Sequence, residues 1–387
     1  MTLQEKDQAY VARTYNRFPL TVAGGRGSQV WDEDGKTYID MGTGIAVNSF
    51  GVADPVWQQA VTGQIGRVQH MSNLYYTAPC ALLAEQLCQR TGMKKVFFCN
   101  SGAEANECAI KTARKWAAEN KGAEYSTIIT LKNSFHGRTL TTLAATGQDH
   151  YHELFQPLTP GFVSVTPGDA EELERAATEN RAAAILVEMI QGEGGVLPMG
   201  EDYAEAIQAV ARKHNLLIMV DEVQTGNGRT GALYAYMHYG WKPDVVSTAK
   251  GLAGGLPLGA TLMGERTADV LGFGDHGSTF GGNPVCCAAA LSILGRIDEK
   301  LLAEVREKGD YIRQQLEGRP GILEITGRGL MVGIRTSRPA GEVARACLER
   351  GVLVLTAKDR VRLLPALNIP MDLLEQAVKV IAEVCAE

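Results

Sequence analysis

Short apolar runs recur through the middle of the chain, separated by stretches with a helical pattern. The runs are continuous and rich in β-branched residues, which is typical of strands covered on both faces of a sheet. They occupy residues 96–98, 128–131, 184–187, 216–220 and 244–247. Between them, residues 104–119 and 203–214 carry apolar positions at helical spacing. This alternation predicts an α/β domain built on a mainly parallel sheet flanked by helices.

The pattern changes toward the ends of the chain. Residues 301–316 and 371–386 predict helices, and residues 330–334 and 351–355 predict strands between them in sequence. Near the N-terminus, an Asp-Gly turn signal separates two further strand candidates. These candidates are residues 29–31 and 37–40. The C-terminal part is therefore predicted to form a smaller α+β domain.

We expect the chain to divide into three parts. Residues 1–50 form an N-terminal segment that contributes to the small domain, residues 51–290 form the large domain, and residues 291–387 form the C-terminal small domain. A chain of 387 residues can bury a large core and is long enough for two domains, or for one domain with an appendage.

Composition narrows the classes of function. Hydrophobic residues make up 45% of the chain and the formal net charge is -6, so no basic surface for nucleic acid is expected. The 8 cysteines form no C-x-x-C pair and no Cys/His cluster, so we expect reduced thiols and no metal site. Because no apolar leader or membrane-length apolar stretch is found, we expect a cytoplasmic protein without a membrane partner.

Two polar residues at the ends of apolar runs carry the first chemical signal. Asp221 follows the run at 216–220, and Lys250 comes shortly after the next run. Their separation of 29 residues (250 minus 221) allows one crossover helix, which would place them at the ends of adjacent parallel strands. Pyridoxal phosphate (PLP) needs such a pair, an acid for its ring nitrogen and a lysine for its aldehyde. The alternatives are a metal-binding aspartate and a solvated lysine.

Other strand ends supply candidates for the rest of a cofactor site, because ligands of open α/β sheets bind there. Ser101 and Gly102 open the helix after the first run, and free N–H groups at a helix start suit a phosphate. The alternative is a plain N-cap at Ser101. Phe135 and Arg138 follow the second run, where a ring and a guanidinium would face a flat cofactor and a carboxylate. The alternative is an aromatic plug with a solvated arginine.

Taken in order, these segments resemble the class III (fold type I) PLP aminotransferases over nearly the whole chain. The matching motifs are residues 100–107, 135–138, 221–226, 250–251 and 277–284. Within that class, the segments that look most like the acetylornithine aminotransferases are residues 30–32, 34–36, 44–48, 72–76, 191–195 and 364–369. The resemblance implies PLP as cofactor, a large domain with a mainly parallel seven-stranded sheet, and a smaller α+β domain.

The resemblance also implies roles for individual residues at the cofactor. Lys250 would bond to the aldehyde, and Asp221 would pair with the ring nitrogen. The ring would lie between Phe135 and Val223, and Gln224 would meet its phenolic oxygen. The group at the phosphate would comprise Ser101, Gly102, Ala103 and, from the second subunit of a homodimer with shared active sites, Thr279.

Four residues are implied for the substrates. Arg138 would bind the α-carboxylate of the amine donor, with Ser278 of the second subunit nearby. Glu193 would mask Arg362 while a terminal amine reacts, and would move aside for the α-carboxylate of glutamate. The alternative for Glu193 and Arg362 is a structural ion pair.

The implied reaction transfers the terminal (δ) amino group of N2-acetylornithine to 2-oxoglutarate, giving N-acetylglutamate 5-semialdehyde and glutamate, as in arginine biosynthesis. Succinylornithine, ornithine, acetyllysine and 4-aminobutyrate stay open as donors, and a PLP aminomutase is the alternative reaction class. Residues 15–19 lack an obvious counterpart of the tyrosine that enzymes for free ornithine place near the α-amino group, which favours an acylated donor. Residues 51–55 depart from the His-Pro pair of many relatives, with no catalytic effect expected.

Overall fold

The computed structural model describes residues 1–387, the whole chain. Its helices are α1 (Leu3–Tyr10), α2 (Thr43–Ala46), α3 (Pro55–Ile65), α4 (Ala78–Thr91), α5 (Gly102–Asn120), α6 (Leu140–Ala145), α7 (Ala170–Glu179), α8 (Glu201–Lys213), α9 (Pro284–Leu294), α10 (Glu299–Leu316), α11 (Ala340–Glu349) and α12 (Met371–Ala386). None of these helices has the length and apolar character needed to cross a membrane.

The strands lie in four sheets. In chain order they are β1 (Val22–Arg26), β2 (Gln29–Asp32), β3 (Thr37–Asp40), β4 (Lys95–Cys99), β5 (Thr127–Leu131), β6 (Phe162–Val165), β7 (Ala182–Val187), β8 (Ile190–Gln191), β9 (Leu197–Pro198), β10 (Leu217–Asp221), β11 (Val245–Thr248), β12 (Gly259–Met263), β13 (Ile322–Arg328), β14 (Met331–Thr336), β15 (Val352–Leu353), β16 (Leu355–Ala357) and β17 (Arg360–Leu363).

The largest sheet has seven strands in the order β4-β12-β11-β10-β7-β5-β6. Only β12 runs against the others, so the predicted mainly parallel, seven-stranded sheet is confirmed. Every residue of β7 is buried, as expected for a continuous apolar run in the middle of a sheet. Helix α5 covers one face, where Ile110 and Trp116 join a core cluster with Leu186 and Leu217.

The strands that lead to Asp221 and Lys250 are neighbours. β10 and β11 are parallel, with Asp221 in register with Ser247, so the predicted adjacency is confirmed. The connection is long enough for a crossover helix but contains none, since its only helical segment is the 3-10 turn Ala235–Tyr239. A physical reason lies in the glycine-rich connection, where Gly228 has a φ of +86°, a left-handed conformation that interrupts a helix.

The two ends of the chain form smaller sheets. One, in the order β1-β2-β3-β15, contains strands from both ends, and the other, in the order β13-β14-β17-β16, contains C-terminal strands only. The prediction of a single strand at 351–355 is wrong, because the chain passes from one sheet to another within this segment. Val352–Leu353 pairs with β3, whereas Leu355–Ala357 pairs with β17. The N-terminal segment is thus hydrogen-bonded to the C-terminal part. The domain boundaries at residues 50 and 290 stay a prediction.

Candidate active site

A cavity of about 440 Å³ lies at the carboxyl ends of the central strands. It gathers most of the residues that the sequence singled out, although they come from loops far apart in the chain. The predicted site residues that line it are Ser101, Gly102, Ala103, Phe135, Arg138, Asp221, Val223, Gln224 and Lys250. Such a site at the strand ends is the usual ligand position in an open α/β sheet.

The first wall of the cavity is the start of α5. Ser101 caps this helix, because its hydroxyl accepts a hydrogen bond from the Glu104 N–H at 3.2 Å. The N–H groups of Gly102 and Ala103 make no hydrogen bond within the protein, so two donors stay open at the positive end of a 19-residue helix. A Cβ on Gly102 would lie 2.6 Å from Cγ1 of Val223, so only glycine allows this close approach. The wall suits a phosphate.

Asp221 is held by three hydrogen bonds. Its Oδ2 accepts from Nδ2 of Asn106 at 2.7 Å and from Nδ1 of His136 at 2.9 Å, and its Oδ1 accepts from the Val223 N–H at 3.0 Å. The carboxylate is only 4% exposed, so these donors replace the water that it loses on burial. The result is a fixed, oriented anion at the end of β10, as needed to pair with a protonated ring nitrogen.

Lys250 lies in the 3-10 turn Lys250–Leu252 and has a φ of +44°. A residue other than glycine in this region is strained by about 1–3 kcal/mol, and such strain concentrates at functional sites. Burial lowers the pKa of the Lys250 ammonium, the carboxylate of Glu193 opposes that shift, and Arg362 adds to it. A lysine with a lowered pKa supplies more of the neutral amine that attacks an aldehyde.

Two arginines with opposite environments lie at the cavity: Arg138 lines it, and Arg362 lies behind Gln224 in an ion pair. Arg362 is buried, and its Nη1 donates to Oε1 of Glu193 at 2.6 Å and to Oε1 of Gln224 at 3.0 Å. Nε2 of Gln224 also donates to Glu193, at 3.2 Å. Burial alone would raise the pKa of Glu193, but Arg362, together with Lys250 and Gln224, more than offsets this and holds the pKa below its ordinary value. Glu193 and Arg362 therefore form an ion pair beside the cavity, in contact with it through Gln224.

Arg138 is the unpaired arginine. Its guanidinium is exposed and takes part in no hydrogen bond or ion pair within the chain. It contacts two aromatic rings: Cζ lies 4.0 Å from the ring centroid of Tyr151 and 5.5 Å from that of Phe135. The N–H donors of Arg138 are thus free to receive a carboxylate bidentately.

Ser278 and Thr279, like Glu193 and Arg362, do not line the cavity of their own chain. Ser278 is adjacent to it, since its hydroxyl accepts hydrogen bonds from Nδ2 of Asn100 at 3.2 Å and from the Gly281 N–H at 3.0 Å. Thr279 is exposed and does not line the cavity. The phosphate-binding role predicted for Thr279 therefore requires a second chain.

Sequence reasoning missed Glu188, a buried carboxyl group in the cavity wall. Its Oε2 accepts from the Phe135 N–H at 3.0 Å and its Oε1 from the Gly192 N–H at 3.1 Å, so it joins the loop of the predicted stacking ring to the loop before Glu193. Burial raises the pKa of Glu188 to about 7. The signal was available, because Glu188 directly follows β7 at the same sheet edge. The contacts of Asn106 and Tyr151 had no comparable signal.

The comparisons with known proteins agree with this geometry. The family model for Aminotransferase class-III matches residues 10–385, and the chain belongs to that family. It is a PLP-dependent aminotransferase. The cavity fits the cofactor, since it offers open N–H groups for a phosphate, the Asp221 carboxylate for a ring nitrogen and the Lys250 amine for an aldehyde.

Particular relatives are similar over almost their whole length. The chain is 47% identical to an acetylornithine aminotransferase of Haemophilus ducreyi, with 100% of this chain and 98% of that protein covered. It is 42% identical to a succinylornithine transaminase of Yersinia pseudotuberculosis, with 100% and 97% covered. Among solved structures, the ornithine aminotransferase of Toxoplasma gondii has a TM-score of 0.94 at 33% identity, covering 99% of this chain and 94% of that one.

Proposed function

We propose that the protein transfers the δ-amino group of N2-acetylornithine to 2-oxoglutarate, giving N-acetylglutamate 5-semialdehyde and glutamate, in the arginine biosynthesis of the cytoplasm. The observation that carries the proposal is the contrast between the unpaired Arg138 and the paired Arg362 at one cavity. A donor of this kind brings one carboxylate, far from its reacting amine, whereas glutamate brings two. The similarity to acetylornithine aminotransferases supports the choice of donor.

PLP, when bound, supplies an aldehyde that forms a bond to amines and a ring that accepts electrons. Lys250 would bond to that aldehyde, give way to the substrate and then move a proton from the substrate's δ-carbon. Asp221 would keep the ring nitrogen protonated. Phe135 and Val223 would contact the two ring faces, and Gln224 would hold the phenolic oxygen.

The phosphate and the substrates would be bound at the two sides of the cavity. The phosphate would take the N–H groups of Gly102 and Ala103 at the α5 start that Ser101 caps. Arg138 would bind the carboxylate that lies far from the reacting carbon, which is the α-carboxylate of N2-acetylornithine and the γ-carboxylate of glutamate. Arg362 would bind the α-carboxylate of glutamate once Glu193 turns away.

The donor assignment predicts a definite order of substrates. With saturating 2-oxoglutarate, we expect kcat/KM for N2-acetylornithine to exceed those for ornithine and 4-aminobutyrate by about 10-fold or more, equal to about 1.4 kcal/mol. The reason is that no acidic side chain pairs with Arg138, so nothing there would receive the α-ammonium of free ornithine. A preference for ornithine or 4-aminobutyrate would contradict the proposal.

The acyl group itself needs a separate comparison, because the relatives include a succinylornithine transaminase. In the same assay, N2-succinylornithine is the matched competitor, since it differs from N2-acetylornithine only in the acyl group. A higher kcat/KM for the succinyl donor would still support amine transfer from an acylated ornithine. It would show that the acyl group is succinyl and not acetyl.

The ion pair of Glu193 and Arg362 predicts unequal effects on the two half-reactions. Replacing Glu193 with Ala removes the carboxylate that pairs with Arg362. Arg362 can then bind the carboxylate of a substrate beside the reacting carbon, where the terminal amine of the donor has to lie. We expect the acetylornithine half-reaction to slow about 10-fold more than the glutamate half-reaction in single-turnover absorbance measurements. Glu171→Ala, at an exposed site on α7, is the control. Equal slowing of both half-reactions would assign the pair a structural role.

We further propose that the enzyme is a homodimer with shared active sites. The cavity of one chain lacks Thr279, which is exposed on a loop that also exposes large apolar side chains. Five exposed large apolar side chains lie in and near two loops, at Leu74, Tyr75, Tyr76, Phe273 and Phe280. The two loops are in contact, because Nδ2 of Asn73 donates to the Ser278 and Gly281 carbonyls. A contiguous exposed apolar surface is typical of a subunit interface. In the dimer, Thr279 of one copy would meet the phosphate in the other, and Ser278 of that copy would lie nearby.

A further inference from the structure

Tyr151 contacts the unpaired Arg138 and lies outside the motifs that resemble the class III aminotransferases. The guanidinium carbon of Arg138 lies 4.0 Å from the Tyr151 ring centroid, within the range of a cation–π contact. The Phe135 ring is more distant, at 5.5 Å. Because no acidic side chain or backbone carbonyl binds Arg138, aromatic contacts are what set its position.

A ring supports an arginine without consuming its donors. Stacking uses the face of the planar guanidinium, whereas a carboxylate binds at its N–H edges. An acidic neighbour would therefore compete with a substrate carboxylate, as Glu193, which is paired with Arg362, would do there. Tyr151 leaves the edges of Arg138 free, which is the arrangement needed for an arginine that binds a carboxylate in both half-reactions.

The Tyr151 ring is itself held in place. Tyr151 is the last residue of the 3-10 turn Asp149–Tyr151, and the residues on either side of that turn form hydrogen bonds to neighbouring segments. Nε2 of Gln148 donates to the Ser134 carbonyl at 3.0 Å, next to Phe135. Nε2 of His152 lies 2.8 Å from the Leu143 carbonyl of α6.

The ring also packs against the predicted stacking residue of the cofactor. The Tyr151 and Phe135 ring centroids are 6.0 Å apart, with an edge-to-face angle of 72°. Tyr151 therefore contacts both Phe135 and Arg138, which lie on one loop. These contacts fix the guanidinium relative to the position of the cofactor ring.

We propose that Tyr151 is a positioning residue, whose ring holds Arg138 ready for the substrate carboxylate far from the reacting carbon. The proposal rests on the proposed function, which gives that carboxylate to Arg138. The aromatic ring carries the effect and the hydroxyl group does not. Removal of the ring lets the arginine sample other rotamers, so carboxylate binding weakens while the chemistry at Lys250 is unchanged.

The first test compares Tyr151→Leu with Tyr151→Phe. With Tyr151→Leu, we expect KM for N2-acetylornithine and for 2-oxoglutarate to rise about 5-fold, with kcat within about twofold of wild type. Tyr151→Phe should restore both KM values, because it retains the ring. Tyr10→Leu removes an exposed tyrosine on α1 and serves as the matched control. An unchanged KM with Tyr151→Leu, or a loss confined to kcat, would overturn the proposal.

The second test measures binding without turnover. Glutarate, a dicarboxylate without a reacting group, is titrated calorimetrically into the holoenzyme and its variants. We expect Tyr151→Leu to weaken glutarate binding about 5-fold in the wild-type background and to have no further effect when Arg138 is already Ala. A full effect of Tyr151→Leu without Arg138 would show that Tyr151 acts independently, and would overturn the proposal.

The same titration separates the two levels of inference. If Arg138→Ala leaves glutarate affinity unchanged, the assignment of the carboxylate to Arg138 fails, and the role of Tyr151 fails with it. If Arg138→Ala weakens binding but Tyr151→Leu does not, the proposed function of Arg138 stands and only the role of Tyr151 is overturned. Melting temperatures close to wild type establish that the variants are folded.

Discussion

Replacement of Lys250 with Ala should reduce turnover by a factor on the order of 10³ or more, because one side chain serves as both the covalent attachment and the proton carrier. The structure gives no substitute, since no other lysine lines the cavity. Cofactor binding should weaken less than turnover, because the N–H groups of Gly102 and Ala103 and the carboxylate of Asp221 are unaffected. Steady-state rates and the visible absorbance of the lysine-bound cofactor measure the two effects separately.

The control for Lys250 is Lys242→Ala, which removes an exposed lysine from the connection between β10 and β11, before the strand that leads to Lys250. It should leave both the rate and the absorbance unchanged. Borohydride reduction of the wild-type enzyme followed by peptide mass spectrometry should place the trapped cofactor on Lys250. Normal turnover of Lys250→Ala, or trapping on a different lysine, would refute the assignment.

Mixed dimers should recover activity that neither parent has. One parent carries Lys250→Ala, and the other carries Thr279→Glu, whose carboxylate would repel the cofactor phosphate. In a mixed dimer, one site combines the intact Lys250 of one chain with the intact Thr279 of the other. Mixed dimers purified through two different affinity tags should therefore reach about half of the wild-type rate, because one of their two equivalent sites is complete.

The mixed-dimer experiment distinguishes shared from separate active sites. If each site used only its own chain, every site in the mixture would contain one defect, and no activity would return. Thr178→Glu places the same charge at an exposed threonine on α7 and should be active without complementation. Light scattering of the wild-type enzyme supplies the oligomeric state on which the interpretation depends. A monomer with full activity would also contradict shared sites.

The apolar runs predicted the central sheet well because each run is a local property of the chain. β7 and β10 are buried on both faces, so they require continuous apolar sequence, and the runs identify them directly. Two strands of this sheet were missed. β6 has only four residues, and glycines surround the antiparallel strand β12 and weaken its strand pattern. The break between β15 and β16 was also missed. These two strands come from one continuous apolar stretch but pair in different sheets.

Residues at strand ends were predicted for the same reason. Asp221 and Lys250 follow strands of one parallel sheet, so their approach follows from the topology. Glu188 also directly follows a strand of this sheet, but it was not predicted as a site residue. His136 is different: its contact with Asp221 joins two loops, and their paths depend on packing that no local pattern records.

By itself, the sequence determined five of the seven strands of the sheet, the edge where chemistry occurs and the pair of groups that a PLP enzyme needs, because these follow from hydrophobic patterning and from which residues end each strand. Only the tertiary structure decided that Arg362 is paired with Glu193 while Arg138 stacks on Tyr151 with its donors free. The physical reason is that the environment of a charge depends on neighbours brought together by loops, and those neighbours determine whether an arginine is available to a substrate.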